Sequence, residues 1–291
     1  MFKAITSPYL VPFDGGFQRK NAGTEAPDSD LNKKDYKRLL GDLMVELDDL
    51  QRILYAENRY AVLLIFQGID ASGKDSTIRA VMNGVDPAGC EVHSFKEPSN
   101  HELDHDFLWR TAACLPERGR IGIFNRSYYE EVLAVRVHPE FLEAQRLPGK
   151  IDLDTLWQER MESINDHERH LARNGTVVIK FWLNISKKEQ RKRFLSRIDE
   201  PNKNWKFSES DVREREYWDD YMKAYEKALA ATSREWAPWY AIPADRKPYM
   251  HYCVADIIVQ SLRSLGLTYP WVDAEQEKKL QKMRRMLEKD D

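Results

Sequence analysis

The feature that most constrains this chain is AVLLIF (61–66), which runs directly into Gly68-Ile-Asp70-Ala71-Ser72-Gly73-Lys74-Asp75-Ser76-Thr77. An apolar run with no polar alternation is the pattern of a strand covered on both faces, which calls for a parallel sheet with helices above and below it. A glycine-punctuated turn between such a strand and a helix is the setting of a phosphate-binding loop. There the glycines let backbone N–H groups converge on phosphate oxygens, the helix N-terminus adds a favourable dipole, and a lysine supplies a point charge. Lys74 is the phosphate-binding candidate, cradled by Gly68, Ala71, Ser72, Gly73, Asp75 and Ser76. An ordinary tight turn is the alternative.

The rest of the chain repeats the alternation. GRIGIF (119–124) and TVVIKFWLNI (176–185) are further strand candidates, preceded by helical stretches over about 102–113 and 153–173. A second helix covers about 76–83, WYAIPA (239–244) is a weaker strand, and 251–266 is a helix with Gly266 at its C-cap. Leu39, Leu40, Leu43, Met44, Leu47, Leu50, Ile53 and Leu54 recur at helical steps, marking an amphipathic helix over 34–57. The sum is an α/β protein: a P-loop kinase-like three-layer α/β/α sandwich with a parallel sheet and a helical lid at about 190–225. Residues 1–35 read as an irregular arm without a functional signal, 36–270 as the P-loop domain, and 271–291 as a charged C-terminal helix. Leu280, Met283 and Leu287 suit a helix that is either solvated or packed on another subunit.

Composition narrows the partners. With 45 Lys+Arg against 48 Asp+Glu the net charge is −3, so a polyanion must be met by a local basic patch. Three cysteines, Cys90, Cys114 and Cys253, cannot build a disulfide framework or a four-thiolate zinc site, and buried free thiols are expected. The longest apolar run, 60–66, is far below the roughly 18–20 residues that span a bilayer, and the N-terminus lacks the apolar core of a secretory signal. A cytoplasmic protein without membrane or nucleic-acid partners is expected.

Two departures from the usual phosphate-loop pattern are informative. Asp75 stands where Ser or Thr follows the lysine, and Asp70 places a carboxylate inside a loop built for phosphates. A divalent cation bridging Asp70 to phosphate resolves that repulsion, so Asp70 is assigned to Mg²⁺ or Mn²⁺, with a helix N-cap as its alternative. After the second predicted strand comes Asn125-Arg126-Ser127, expected beside the loop because ligands gather beyond the carboxyl ends of such strands. Asn125 can coordinate metal through its carbonyl, and Arg126 suits bidentate phosphate contact unless it merely pairs with a carboxylate. Six basic residues between 187 and 197 include Arg193 and Arg197, four apart on one helix face. They read either as a solvated face or as a lid over phosphates.

His101-Glu102-Leu103-Asp104-His105 satisfies the H-E-x-x-H zinc pattern. Catalytic zinc needs a third protein ligand, and none of His93, His138, His167, His170 or His251 completes a recognised extension, so the stretch is taken as a helix with surface histidines.

Together these segments resemble polyphosphate kinase family 2. The resemblance lies in GIDASGKDSTIRAVMNGVDPAG (68–89), SFKEPS (94–99), ELDHDFLWR (102–110), GRIGIFNRSYYEEVLAVRVHPE (119–140), ISKKEQRKRFLSRIDEPNKNWKFS (185–208), YWDDYMKAYEKAL (217–229) and APWYAIPADRK (237–247). It implies transfer of phosphoryl groups between inorganic polyphosphate and nucleotides. It also implies functional roles for Asp70, Lys74 and Arg126, a nucleotide- or phosphate-binding position for Arg136, and a lid that puts Arg193 near the phosphate path. Asn125-Arg126-Ser127 followed by YYEEVLAVRVHPE is similar to class III of the family, which converts AMP to ADP and ADP to ATP. Ala80 where His is expected, and Lys247-Pro248-Tyr249 where Lys-Trp is common, depart from the family pattern. A homo-oligomer is expected.

The implied chemistry is phosphoryl transfer by positioning and charge neutralisation, needing no strong base because the acceptor is already an ionised phosphate. Lys74 and the loop amides hold phosphates, and Arg126 with Arg193 meets the spread charge of the transition state. Two other classes compete: an ATP-dependent P-loop kinase of small molecules, and a nucleotide-binding regulator without turnover.

Overall fold

The computed structural model describes residues 1–288. Its strands are β1 (Ala61–Gln67), β2 (Cys90–Ser94), β3 (Ile121–Asn125), β4 (Thr176–Asn184) and β5 (Trp239–Pro243), forming one parallel sheet in the order β2-β3-β1-β4-β5. The longer helices are α1 (Lys33–Glu57), α2 (Lys74–Val81), α3 (Leu153–Arg173), α4 (Lys187–Asp199), α5 (Trp218–Thr232), α6 (Lys247–Ser264) and α7 (Ala274–Leu287). Every residue of β1 is buried, because α1, α2 and α6 cover one face while α3 and α5 cover the other. The three-layer sandwich is therefore present. β1 lies between β3 and β4, so the chain reverses direction across the sheet there and leaves a crevice beyond the ends of β1 and β3.

Local chemistry sets the element ends. Asn32 and Asp35 close a reciprocal capping box on α1, whose Leu47 and Leu54 are fully buried. The N-terminal arm is irregular but not detached: Val11 N donates to Trp239 O at 2.9 Å and Ala241 N to Tyr9 O at 2.8 Å. It thereby covers the otherwise open edge of β5. Behind the end of β3, Lys180 is buried among Glu168, Tyr129 and Thr232. Its Nζ donates to Glu168, to Tyr129 Oη at 2.9 Å and to Thr232 O at 2.9 Å, which satisfies a charge that burial would otherwise penalise.

Several expectations need correction. β2 was not anticipated, since CEVHS is a short, largely exposed edge strand without an apolar run. The helix expected over 102–113 is two single turns, Asn100–Leu103 and Trp109–Ala112. Asp104, His101 and His105 are exposed there, and the His105 ring stacks on Trp109 at 3.9 Å. Among the described residues, no group of three or more His, Cys, Asp or Glu is arranged to hold a metal. Of the cysteines only Cys253 is buried; Cys90 and Cys114 are half-exposed. No helix among the described residues is long and apolar enough to cross a membrane. The predicted C-terminal helix spans Ala274–Leu287 with Leu280, Met283 and Leu287 exposed; residues 289–291 lie outside the described residues.

Candidate active site

The loop between β1 and α2 is shaped by close approach. A Cβ on Gly68 would lie 2.6 Å from Ser72 Oγ, and Gly73, at φ 113°, opens α2 in a conformation that favours glycine. Ala71 (φ 61°) and Arg126 (φ 65°) both adopt the left-handed region without being glycine, a strain that persists only where surrounding contacts impose it. The contacts are visible. Arg193 Nη1 donates to Ala71 O at 3.0 Å and Ser72 O at 2.7 Å, while Arg126 N donates to Phe66 O at 3.1 Å.

Lys74 Nζ donates to Gly68 O at 2.5 Å and Ile69 O at 3.4 Å. Burial, and then the positive Arg126, push its pKa below the ordinary lysine value. Asp70 Oδ1 accepts from Arg126 Nη2 at 2.8 Å, so the segments after β1 and β3 meet as expected. The acid of Glu130, more than any other group, holds the Arg126 guanidinium protonated; Glu130 itself is pushed up by burial. Asn125 turns its amide toward the same loop, donating to Asp75 Oδ1 at 2.7 Å and Ser94 Oγ at 3.4 Å.

Two cavities share the Asp70–Arg126 pair. The larger, about 580 Å³, is walled by Lys74, Lys96, Arg126, Arg193, Arg197, Lys203, Lys206 and Lys247 against Asp70, Asp75 and Glu97. It also includes Ala71, Ser72, Gly73, Ser76 and Asn125. The smaller, about 70 Å³, has the opposite character, with Glu130, Asp211 and Glu214 beside Trp218, Tyr221 and Tyr225. The basic wall answers the requirement that a net-acidic chain meet polyanions locally.

Two arginines differ from expectation. Arg193 lines the larger cavity, where its guanidinium is held by the protein itself. It is nearly buried, and its guanidinium is committed to Glu189 and to the carbonyls of Ala71, Ser72, Ala244 and Asp245. Arg136 lines neither cavity; it lies over the Trp157 ring at 5.7 Å, and burial lowers its pKa. Arg197 does face the larger cavity, although Asp211 Oδ2 accepts from it at 2.9 Å. Helix α4, at the start of the expected lid, begins at Lys187 and is anchored to the loop by Arg193 and by Gln190 Nε2, which donates to Asp70 O at 3.0 Å. Cavity-lining residues that motif reading did not single out include Lys96, Glu97, Glu130, Asp211 and Glu214. Each sits in a segment whose charge pattern alone does not separate a wall of the site from a solvated face.

The family model for Polyphosphate kinase 2 (PPK2) matches residues 30–266. The chain is 55% identical over 257 residues to an ADP-polyphosphate phosphotransferase from Rhodopseudomonas palustris, covering 88% of this chain and 89% of that one. It is 42% identical over 271 residues to an AMP/ADP-polyphosphate phosphotransferase from Meiothermus ruber, covering 93% and 97%. Its fold superposes on the crystal structure of Polyphosphate Kinase 2 from Arthrobacter aurescens TC1 with a TM-score of 0.83 and 36% identity, over 96% of this chain and 98% of that one. A matching core sheet, a phosphate loop in the expected place and relatives aligned over nearly their full length lead to one conclusion: the chain belongs to the polyphosphate kinase 2 family.

Proposed function

We propose that this protein transfers phosphoryl groups from inorganic polyphosphate to AMP and ADP, giving ADP and ATP. The observation that carries the reading is the pair of unlike cavities joined at Asp70 and Arg126. The basic one suits a long polyanion, and its phosphates approach Lys74 and the loop amides. Arg126 is placed to meet the charge that spreads over the transferred group. Closure of α4 and the helices after it would keep water from competing with the nucleotide.

Asp70, Asp75 and the Asn125 carbonyl offer hard oxygen donors of the kind Mg²⁺ or Mn²⁺ prefers, and Mg²⁺ typically takes only one or two carboxylates with substrate phosphates completing its shell. The donor set therefore fits the metal, with Asp70 and Asn125 as the candidate protein ligands. Bound there, the ion would neutralise phosphate charge; the chain's own residues orient the substrates.

A second reading, transfer to ADP alone, is favoured by the Rhodopseudomonas palustris relative, which is named for ADP. We extend the proposal to a cytoplasmic homo-oligomer, with the 88% exposed Trp271 and the apolar side of α7 as its candidate contact. Phosphorus NMR of a mixture of protein, Mg²⁺, polyphosphate and AMP tests the activity. Resonances of ADP and then ATP should grow as polyphosphate shortens; polyphosphate left intact beside unchanged AMP would overturn it.

A further inference from the structure

The N-terminal arm reaches the phosphate loop through a chain of hydrogen bonds that starts at Thr24, outside the 30–266 segment shared with the family model. Thr24 Oγ1 donates to Asp245 Oδ2 at 3.0 Å, and Asp245 N donates back to Thr24 O at 2.9 Å. The other carboxylate oxygen, Asp245 Oδ1, accepts from Ser186 N at 2.7 Å. Ser186 is the N-cap of α4, and its Oγ accepts from Glu189 N at 3.1 Å. One carboxylate thus joins the arm to the first turn of the lid helix.

The backbone of the same residue continues the connection. Arg193 Nη2 donates to Ala244 O at 2.5 Å and Asp245 O at 3.3 Å, while Nη1 of the same guanidinium donates to Ala71 O and Ser72 O. Ala71 is the loop residue held at φ 61°. Its carbonyl direction is set by Arg193, and Arg193 is set in turn by carbonyls that Thr24 helps to fix. The planar guanidinium fork transmits direction as well as charge. A second link from the arm lies beside the first, with Asn184 Nδ2 donating to Ala22 O at 2.9 Å and Gly23 O at 3.1 Å, and Ala244 N donating to Asn184 O at 3.0 Å.

We infer that Thr24 and Asp245 are positioning residues for phosphoryl transfer, holding Arg193 so that the Ala71–Ser72 segment keeps the geometry that receives phosphate. Neither touches the reacting atoms. Small displacements of a phosphate cradle are costly to turnover, because misplacement by about 1 Å can lower rates by about 10²-fold. The inference rests on the phosphotransfer reading for its kinetic arm alone; its second arm needs no activity.

The test compares Thr24→Val, which keeps the shape and removes the hydroxyl, with Thr24→Ser, which restores it. Thr24→Val should lower kcat about 10-fold on AMP and ADP while KM for the nucleotide moves less than twofold, and Thr24→Ser should recover most of the rate. Hydrogen exchange of the peptide covering residues 68–76 should accelerate in Thr24→Val and Asp245→Ala, and stay near wild type in Thr24→Ser. Unchanged kcat and unchanged loop exchange in Thr24→Val would overturn the inference. So would a global loss of fold in Thr24→Val, because the role would then be general stability. A wild type inert toward polyphosphate would refute the functional reading and leave the exchange result to decide the linkage.

Discussion

Asp70 and Arg126, fifty-six positions apart, close an ion pair of 2.8 Å at the one place where a basic cavity and an acidic, aromatic one adjoin. Arg126 reaches it from a left-handed backbone directly after β3, and Asp70 from the turn directly after β1. Alone, Asp70 would repel phosphate and Arg126 would attract it; paired, they leave a nearly neutral junction.

Removing either loop charge should therefore act on turnover rather than on folding. Asp70→Asn and Lys74→Ala are each expected to lower kcat about 10²-fold or more, with thermal midpoints shifted by only a few degrees. Rates above half of wild type in either variant would remove that residue from the mechanism.

Asn125 should govern acceptor range. Its amide donates to Asp75 Oδ1 at 2.7 Å, so Asn125→Asp sets two carboxylates against each other and tightens the demand for metal. AMP, with one phosphate, must sit deeper than ADP and should suffer more from that added charge. Initial rates are expected to fall further with AMP than with ADP; an equal fall would show that position 125 does not read the acceptor.

Polyphosphate affinity should weaken steeply with salt despite the net charge of −3, because the basic wall releases counterions from the bound polyanion. Lys203→Gln with Lys206→Gln should flatten the slope of log affinity against log salt by roughly 1 to 2. Arg197→Gln should flatten it less, since Asp211 already holds part of that charge. A slope unaltered by the lysine pair would move the polyphosphate path elsewhere.

Acid should destabilise the protein partly through His251, on α6 beside Lys247. Burial first, and then the charges of Lys247 and Arg193, lower its pKa from 6.5 to about 4. Above pH 6.5 the ring is neutral folded or unfolded and costs nothing. Below that the unfolded chain takes up the proton first, so stability falls between about pH 6.5 and pH 4, by up to about 3 kcal/mol before solvent screening. Urea midpoints at pH 7 and pH 4.5 should converge more closely in His251→Gln than in wild type; identical pH dependence would exclude the histidine.

The central sheet was legible because β1 is apolar from Ala61 to Phe66 and the apolar run of β4 is broken in its interior by Lys180 alone, and the loop after β1 was legible because its glycines and lysine stand at the spacing of a phosphate-binding loop. β2 was not, since an edge strand needs no apolar run. The helix expected over 102–113 breaks where Asp106 Oδ1 accepts from Leu108 N, a local hydrogen bond that competes with a continuous helix. In the sequence Arg193 stands out only as one member of a basic run. Only tertiary structure reveals the four carbonyls that it serves, and the same holds for Thr24, whose partner lies 221 positions away.

Parallel initial-rate measurements with polyphosphate and Mg²⁺, using AMP in one series and ADP in the other, test the central claim most directly. The account predicts polyphosphate-dependent formation of ADP and ATP from AMP and of ATP from ADP, with no turnover when polyphosphate is omitted. Failure with both acceptors, or phosphorylation of a non-nucleotide substrate at the expense of ATP, would contradict it.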